Sequence, residues 1–249
     1  MSAFASIRRL LAGGAVSALV LALVIGLGVT FGVYGSGGLI APIGTVLGCW
    51  IVLSALVDPI VRLRRGLSLP AAVIGMTVAH IGLGIITIGI TTTETARVEQ
   101  DVALKMGQSV TLGHYQFRFD GTAAVQGPNY DATQARIVVS RDGREFTTLL
   151  PEKRNYIVQE QAIAEAALSV GAKRDLLVTL GEDLGAGAWS LRVQVRPLMM
   201  WVWLGAALMA IGGLVSACDR RYRRLAMAAA GATDVPAPAV TPRGDELPA

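Results

Sequence analysis

Four apolar runs dominate the sequence, and each approaches the length of about 20 residues that a helix needs to cross a bilayer. They cover about residues 10–34, 39–57, 71–91 and 198–218. Hydrophobic residues make up 53% of the 249-residue chain and charged residues only 16%, as in integral membrane proteins. We therefore predict four transmembrane helices.

Arginines next to these runs predict their orientation. Because positively charged loops remain in the cytoplasm, we expect both chain termini and the loop after the second run to be cytoplasmic. In a bacterial inner membrane the segment after the third run is then periplasmic. The net charge of +4 follows from this topology and does not predict a nucleic-acid partner. The orienting residues are Arg8 and Arg9, then Arg62, Arg64 and Arg65, and finally Arg220, Arg221, Arg223 and Arg224.

The polar segment between the third and fourth runs, residues 92–197, is long enough for a domain. Its pattern is typical of β-strands: Tyr115, Phe117 and Phe119 alternate with polar residues, and Asp142-Gly143 is a hairpin turn signal. The stretches RDLLVTLG and WSLRVQVR predict further strands, while QEQAIAEAALSV fits a helix or a strand. We predict a β-rich periplasmic domain, a barrel or a sandwich, inserted into an α-helical integral membrane protein.

The predicted division of the chain follows from these segments. Residues 1–91 form a membrane domain with three helices, and residues 92–197 form the periplasmic domain. Residues 198–218 form the fourth helix, and residues 219–249 form a cytoplasmic basic flank with a disordered tail rich in Ala and Pro.

A histidine, His80, lies near the middle of the third run. An ionisable side chain at that depth costs about 2 kcal/mol or more, so it is expected to have a function or a partner. On a helix, His80 belongs to a stripe of small and polar residues spaced by three and four, which we expect to face protein or a cavity. The other members of the stripe are Thr77, Gly84, Thr87 and Thr91.

Three roles for His80 agree with this pattern. It could donate a hydrogen bond to a neighbouring helix, take part in a proton path, or ligate a haem iron through its neutral imidazole. Gly75, Gly82 and Gly89 recur every seven residues on another side of the helix, which predicts a seam that packs against a second helix. Periodicity alone does not decide among the three roles.

Ten short motifs follow one another along the chain. They are GMTVAHIG (75–82), ETARVEQDVALKMGQSV (94–110), YQFRFDG (115–121), GPNY (127–130), LPEKRNY (150–156), AEAAL with RDLLVTLGE (164–182), WSLR (189–192), PLMMWVWLG (197–205) and DRRYR (219–223). This order resembles the C-terminal part of the bacterial CcmF family, the haem lyase component of the cytochrome c maturation system.

The resemblance implies a role for His80, and it implies that the N-terminal half of the family's proteins is not matched by this chain. His80 matches one of two transmembrane histidines that ligate a b-type haem in the family, a haem thought to reduce the substrate haem. The second ligand and a Trp-rich haem-handling segment belong to the family's N-terminal half, which the chain, with only two histidines, does not match. The chain is then either one subunit of a split haem lyase or a fragment. Because arginines and a span follow Met1 directly, we expect a split subunit that shares haem b with a partner chain and is inactive alone. The other histidine, His114, is expected to be an exposed strand residue.

The resemblance also implies the partners. They are an N-terminal haem lyase half, a periplasmic haem chaperone, apocytochrome c with its CxxCH motif and the thiol-reducing subunits that present it, and membrane lipid. Lys153 and Arg154 in PEKRNY are candidates for docking acidic groups, or else part of a solvated turn. The alternative function is a non-enzymatic membrane assembly factor, whose external domain binds a partner and whose His80 is structural.

Overall fold

The structure, a computed structural model, describes residues 2–34, 38–157 and 162–219. The predicted disordered tail and the four arginines after the fourth run lie outside these residues. Within them the chain contains four long helices and ten strands, in agreement with the predicted α-helical membrane protein with an inserted β-rich domain.

The helices are α1 (Ser2–Val29, continued by a π-helical turn at Thr30–Tyr34), α2 (Ile40–Arg64), α3 (Ala71–Ala96) and α4 (Met199–Ala217). All four are long and apolar enough to cross a membrane. Helix α2 continues past its apolar run to Arg64, and on this polar end Asp58 and Arg62, one turn apart, form an ion pair of 2.9 Å.

Glycines set the packing of α3 against its neighbours. A Cβ atom on Gly82 would lie 2.6 Å from the carbonyl oxygen of Gly205 in α4, and one on Gly75 would lie 2.5 Å from that of Gly212. The predicted glycine seam therefore packs against α4. On its other side α3 meets α2, where a Cβ atom on Gly48 would collide with Ile88. Small residues allow both close approaches.

The four helices form an open layer. In the described part of the chain each helix packs mainly on its neighbours in the sequence, α1 on α2, α2 on α3 and α3 on α4. Both faces of this layer are consequently open to lipid or to another protein.

The strands form an antiparallel sandwich of two sheets. The first sheet has the order β1-β10-β9-β8, and the second has the order β2-β3-β4-β6-β7 with β5 paired to the other half of β4. The strands are β1 (Val98–Lys105), β2 (Ser109–Leu112), β3 (Tyr115–Gln126), β4 (Tyr130–Arg141), β5 (Arg144–Leu149), β6 (Glu152–Tyr156), β7 (Ala162–Glu165), β8 (Ala167–Ser169), β9 (Arg174–Gly185) and β10 (Ala188–Pro197).

The sandwich core comes from the alternation visible in the sequence. Phe117 and Phe119 of β3 are fully buried against the inward residues of β9 and β10, among them Val178, Leu180 and Leu191. Asp142 and Gly143 both have positive φ, as a tight two-residue hairpin turn requires.

Three local expectations differ from the structure or are settled by it. PEKRNY is not a solvated turn: Glu152–Tyr156 is strand β6, paired on both sides by β4 and β7. His114 is exposed, but it lies in the turn between β2 and β3 and not in a strand. The described part of QEQAIAEAALSV forms the short strands β7 and β8, because backbone pairing with β6 and β9 satisfies its peptide groups.

A set of hydrogen bonds joins the sandwich to the helices. The Thr93 hydroxyl near the end of α3 donates to the carbonyl of Pro197 at 2.7 Å, and the Trp201 indole in α4 donates to the carbonyl of Ala172 at 2.8 Å. The amide of Leu198 donates to the carbonyl of Lys173 at 3.2 Å. The turn between β8 and β9 therefore lies directly beside the start of α4.

Candidate functional site

His80 lies on one of the two uncovered faces of α3, between the seams with α2 and α4. Thr77, Gly84 and Thr91, which are seven residues apart, are buried against α2, whereas His80 is exposed. The expected polar stripe is thus divided: part of it is buried against α2, and His80 is exposed. Because seven residues are nearly two full turns, positions spaced by seven share one contact, while His80 lies further round the helix.

The imidazole of His80 is oriented by its own helix. Its Nδ1 atom lies 2.8 Å from the carbonyl oxygen of Met76, one turn earlier. In the tautomer that donates this hydrogen bond, Nδ1 carries the proton and Nε2 keeps its lone pair. A backbone acceptor on one ring nitrogen is the arrangement that orients many histidine ligands of metals. In that tautomer Nε2 is available as a nitrogen ligand.

The surroundings of His80 are mainly large apolar side chains. Met76, Leu83 and Ile90 share its face with exposed side chains. The nearby hydroxyl of Thr87 already donates to the carbonyl of Leu83 at 2.9 Å. In residues 2–34, 38–157 and 162–219, no three His, Cys, Asp or Glu side chains come together as a metal site.

Lys153 and Arg154, the predicted docking residues, lie on strand β6 in the sandwich, and the structure does not bring them together with His80. Lys153 forms an ion pair with Glu182 of β9. The Arg154 guanidinium lies 2.8 Å from Glu152 and 4.6 Å from the centre of the Tyr130 ring.

These contacts shift the titration of both partners on β6. The Arg154 guanidinium, together with the amide of Gln134, lowers the pKa of Glu152. Glu152 in turn raises the pKa of Arg154. Both predicted docking cations are thus already balanced by carboxylates, so an acidic partner would have to compete with Glu152 and Glu182.

A third group of side chains was not predicted from any motif. Arg141 and Arg144 from the β4–β5 hairpin and Arg174 from β9 lie around Tyr115 and Phe146. They come from separate parts of the sequence: the register of β3 and β4 pairs Tyr115 with Arg141, and Arg174 reaches Tyr115 from the other sheet. Of this group, the sequence predicted only the β4–β5 hairpin, through its Asp142-Gly143 turn.

Comparison with known proteins identifies the sandwich. Residues 95–197 match the family described as CcmF C-terminal beta-sandwich. The cytochrome c-type biogenesis protein CcmF of Pseudomonas aeruginosa is 42% identical over 184 residues, which cover 72% of this chain and 28% of that protein. The CcmF of Escherichia coli is 39% identical over 182 residues, covering 73% of this chain and 28% of that protein.

A solved structure titled Cytochrome c Heme Lyase CcmF has the same fold, with a TM-score of 0.66 at 21% identity over 80% of this chain and 33% of that one. The chain thus spans about 28% of the length of these curated relatives. Four apolar helices and these relatives make it an inner-membrane protein. Because residues 95–197 are a CcmF C-terminal β-sandwich, the chain corresponds to the C-terminal part of the CcmF family.

Proposed function

We propose that this chain is the C-terminal subunit of a cytochrome c maturation haem lyase, which helps attach haem covalently to the CxxCH motif of apocytochrome c. Relatives named as cytochrome c-type biogenesis proteins, and a structural neighbour titled as a haem lyase, support this assignment. The chain matches under a third of the length of those relatives, so their whole activity is proposed here for a complex that also contains their N-terminal portion, which we propose to be a separate chain.

His80 is the residue proposed to hold a transmembrane b-type haem. The observation behind this proposal is the hydrogen bond from Nδ1 to the Met76 carbonyl, which leaves Nε2 as a free ligand on an uncovered helix face. The b-type haem would supply one-electron redox chemistry. The chain's own contribution would be to fix the imidazole tautomer and to keep an apolar, water-poor surface around it through Met76, Leu83 and Ile90.

The proposed orientation places the sandwich, residues 92–197, in the periplasm and both chain termini in the cytoplasm. Arg62 and Arg64, at the end of α2 remote from the sandwich, support this orientation because basic residues remain on the cytoplasmic side. The sandwich would then face a periplasmic haem chaperone, apocytochrome c and its thiol-reducing presenting subunits. Lys153 and Arg154 are candidate contacts for such partners, in exchange for their present carboxylates.

The test is a reduced-minus-oxidised visible spectrum of the full chain purified together with its N-terminal partner. We expect a sharp low-spin b-type signal that is lost in His80→Ala. The span should still insert, because the substitution makes it more apolar. Thr87→Ala is the matched control: it removes a polar group from the same helix face, also bonded to a carbonyl one turn earlier. It should keep the signal.

An unchanged spectrum in His80→Ala would exclude the ligand assignment. A complex that forms with no haem in the wild-type protein would favour the alternative, a non-enzymatic membrane assembly factor whose His80 only bonds its own helix.

A further inference from the structure

The end of the sandwich next to the helices carries a cluster of basic side chains, Arg141, Arg144, Lys173, Arg174 and Arg196, called here the basic collar. We propose that the basic collar binds the phosphate headgroups of anionic phospholipids, with Phe146 inserted beside them. This proposal does not rest on the haem lyase assignment, since it concerns how the sandwich is held on the bilayer.

The contacts of the collar place it at the membrane surface. Lys173 accepts the amide hydrogen bond of Leu198, the residue before α4, and Ala172 accepts the indole of Trp201 inside α4. Arg174 pairs in register with Pro197, two residues before α4. Because α4 is the predicted span that begins immediately after Leu198, we place Lys173 and Arg174 at headgroup level.

Aromatic rings hold Arg174 in position. Its guanidinium carbon lies 4.4 Å from the centre of the Tyr115 ring and 4.5 Å from that of Phe146, and its Nε donates to the Tyr115 hydroxyl at 2.6 Å. Arg141 lies 5.8 Å from the same Tyr115 ring. A guanidinium oriented by ring stacking retains donors for a phosphate, which it can bind in a bidentate manner.

Much of the positive charge of the basic collar is not paired with carboxylates. In the described part of the chain Arg144, Lys173 and Arg196 form no ion pair, while Arg141 meets Asp142 at 3.5 Å. Glu145 points to Arg118 at 3.8 Å, and the buried Asp175 accepts the amide hydrogen bond of Gly171. The collar thus offers unpaired cationic donors at the end of the sandwich next to the helices.

Exposed aromatic residues complete the match to a bilayer interface. Phe146 is 48% exposed although it stacks on Arg174, and Trp203 in the first turns of α4 is 70% exposed. Large aromatic side chains at headgroup level are typical of membrane proteins. The occupant is therefore a lipid with an anionic headgroup and acyl chains, and not a free anion.

The test uses the full chain in nanodiscs of phosphatidylcholine with an increasing fraction of phosphatidylglycerol. The measurement is amide hydrogen exchange of the β4–β5 hairpin, residues 141–147. We expect slower exchange as phosphatidylglycerol increases. Arg141→Gln with Arg144→Gln should reduce the apparent affinity for phosphatidylglycerol roughly fivefold for each arginine removed.

The matched control is Lys105→Gln with Arg136→Gln, which removes the same charge from exposed positions further from the helices. Lys173→Gln serves as a second collar variant, and exchange of β9 and β10 shows that each variant is folded. Equal protection in wild type and collar variants would overturn the proposal. So would an equal loss in the control pair, or full protection by inorganic phosphate added to pure phosphatidylcholine nanodiscs.

Discussion

Glu152 couples the stability of the sandwich to pH. Arg154 and Gln134 donate to its carboxylate at 2.8 Å and 2.7 Å, which lowers its pKa below the ordinary value of 4.5. Its folded pKa is depressed, so its stabilisation is complete above the unfolded pKa. That stabilisation is lost as the pH falls through the folded pKa.

We expect Glu152→Gln to reduce the free energy of unfolding by about 1 kcal/mol at neutral pH and to flatten its dependence on pH below 4.5. Urea denaturation of the sandwich in the full chain, repeated across this pH range, measures both effects. Glu165→Gln is the control, because Glu165 is half exposed and lies 3.7 Å from the same arginine. An equal effect of both substitutions would contradict a specific role for Glu152.

Some properties of single residues could be predicted from the sequence, and others could not. The depth of His80 in its span and the glycine seam beside it could both be predicted, since each depends only on helical periodicity. That His80 is exposed could not, because exposure depends on which neighbours α3 acquires on each side. The ion pairs of Lys153 and Arg154 were equally hidden: Glu182 is 29 residues from Lys153 in sequence and reaches it only through sheet packing.

Elements with strong local patterns were predictable, and those defined by pairing were not. Strands β3, β4, β5, β9 and β10 show alternation or a turn signal that does not depend on the rest of the fold. Strand β6 is short and charged, with Glu152 and Lys153 near its start, so its pattern is that of a turn. It becomes a strand because β4 and β7 supply hydrogen-bond partners on both edges.

The packing of α3 on α4 depends on the absence of side chains at their contact. A Cβ atom on Gly212 would lie 2.4 Å from the amide nitrogen of Ala79, whereas the adjacent Gly213 has open space. We expect Gly212→Ala to destabilise the helix pair by about 1–3 kcal/mol through overpacking.

Gly213→Ala serves as the control, since it makes the same change of helix propensity one residue later in the same helix. The thermal unfolding midpoint of the detergent-solubilised chain distinguishes the two variants. Indistinguishable midpoints would show that the helices can separate at little cost.

At the scale of the molecule, an open layer of helices supports a two-sided sandwich. Length and composition predicted the four spans and the inserted domain, because each apolar run can be recognised from its own hydropathy. Neither predicted that the helices would pack in chain order without closing into a bundle. That arrangement comes from two close contacts of α3. Gly48 of α2 packs on one side of α3, and Gly82 of α3 packs against α4 on another side, which leaves the His80 face of α3 uncovered.

An uncovered face that carries a transmembrane histidine is the expected contact surface for the proposed partner chain. Leu83 and Ile74 are both exposed on α3 but lie nine residues apart, about two and a half turns, and so on opposite faces. In a chain whose Cys49 and Cys218 are replaced by alanine, Leu83→Cys labelled with a photo-crosslinker should couple to the co-expressed N-terminal half. Ile74→Cys should not, because its face points away from His80. Coupling from Ile74→Cys alone would place the partner on the opposite face and leave His80 towards lipid, where a haem shared between the two chains could not form.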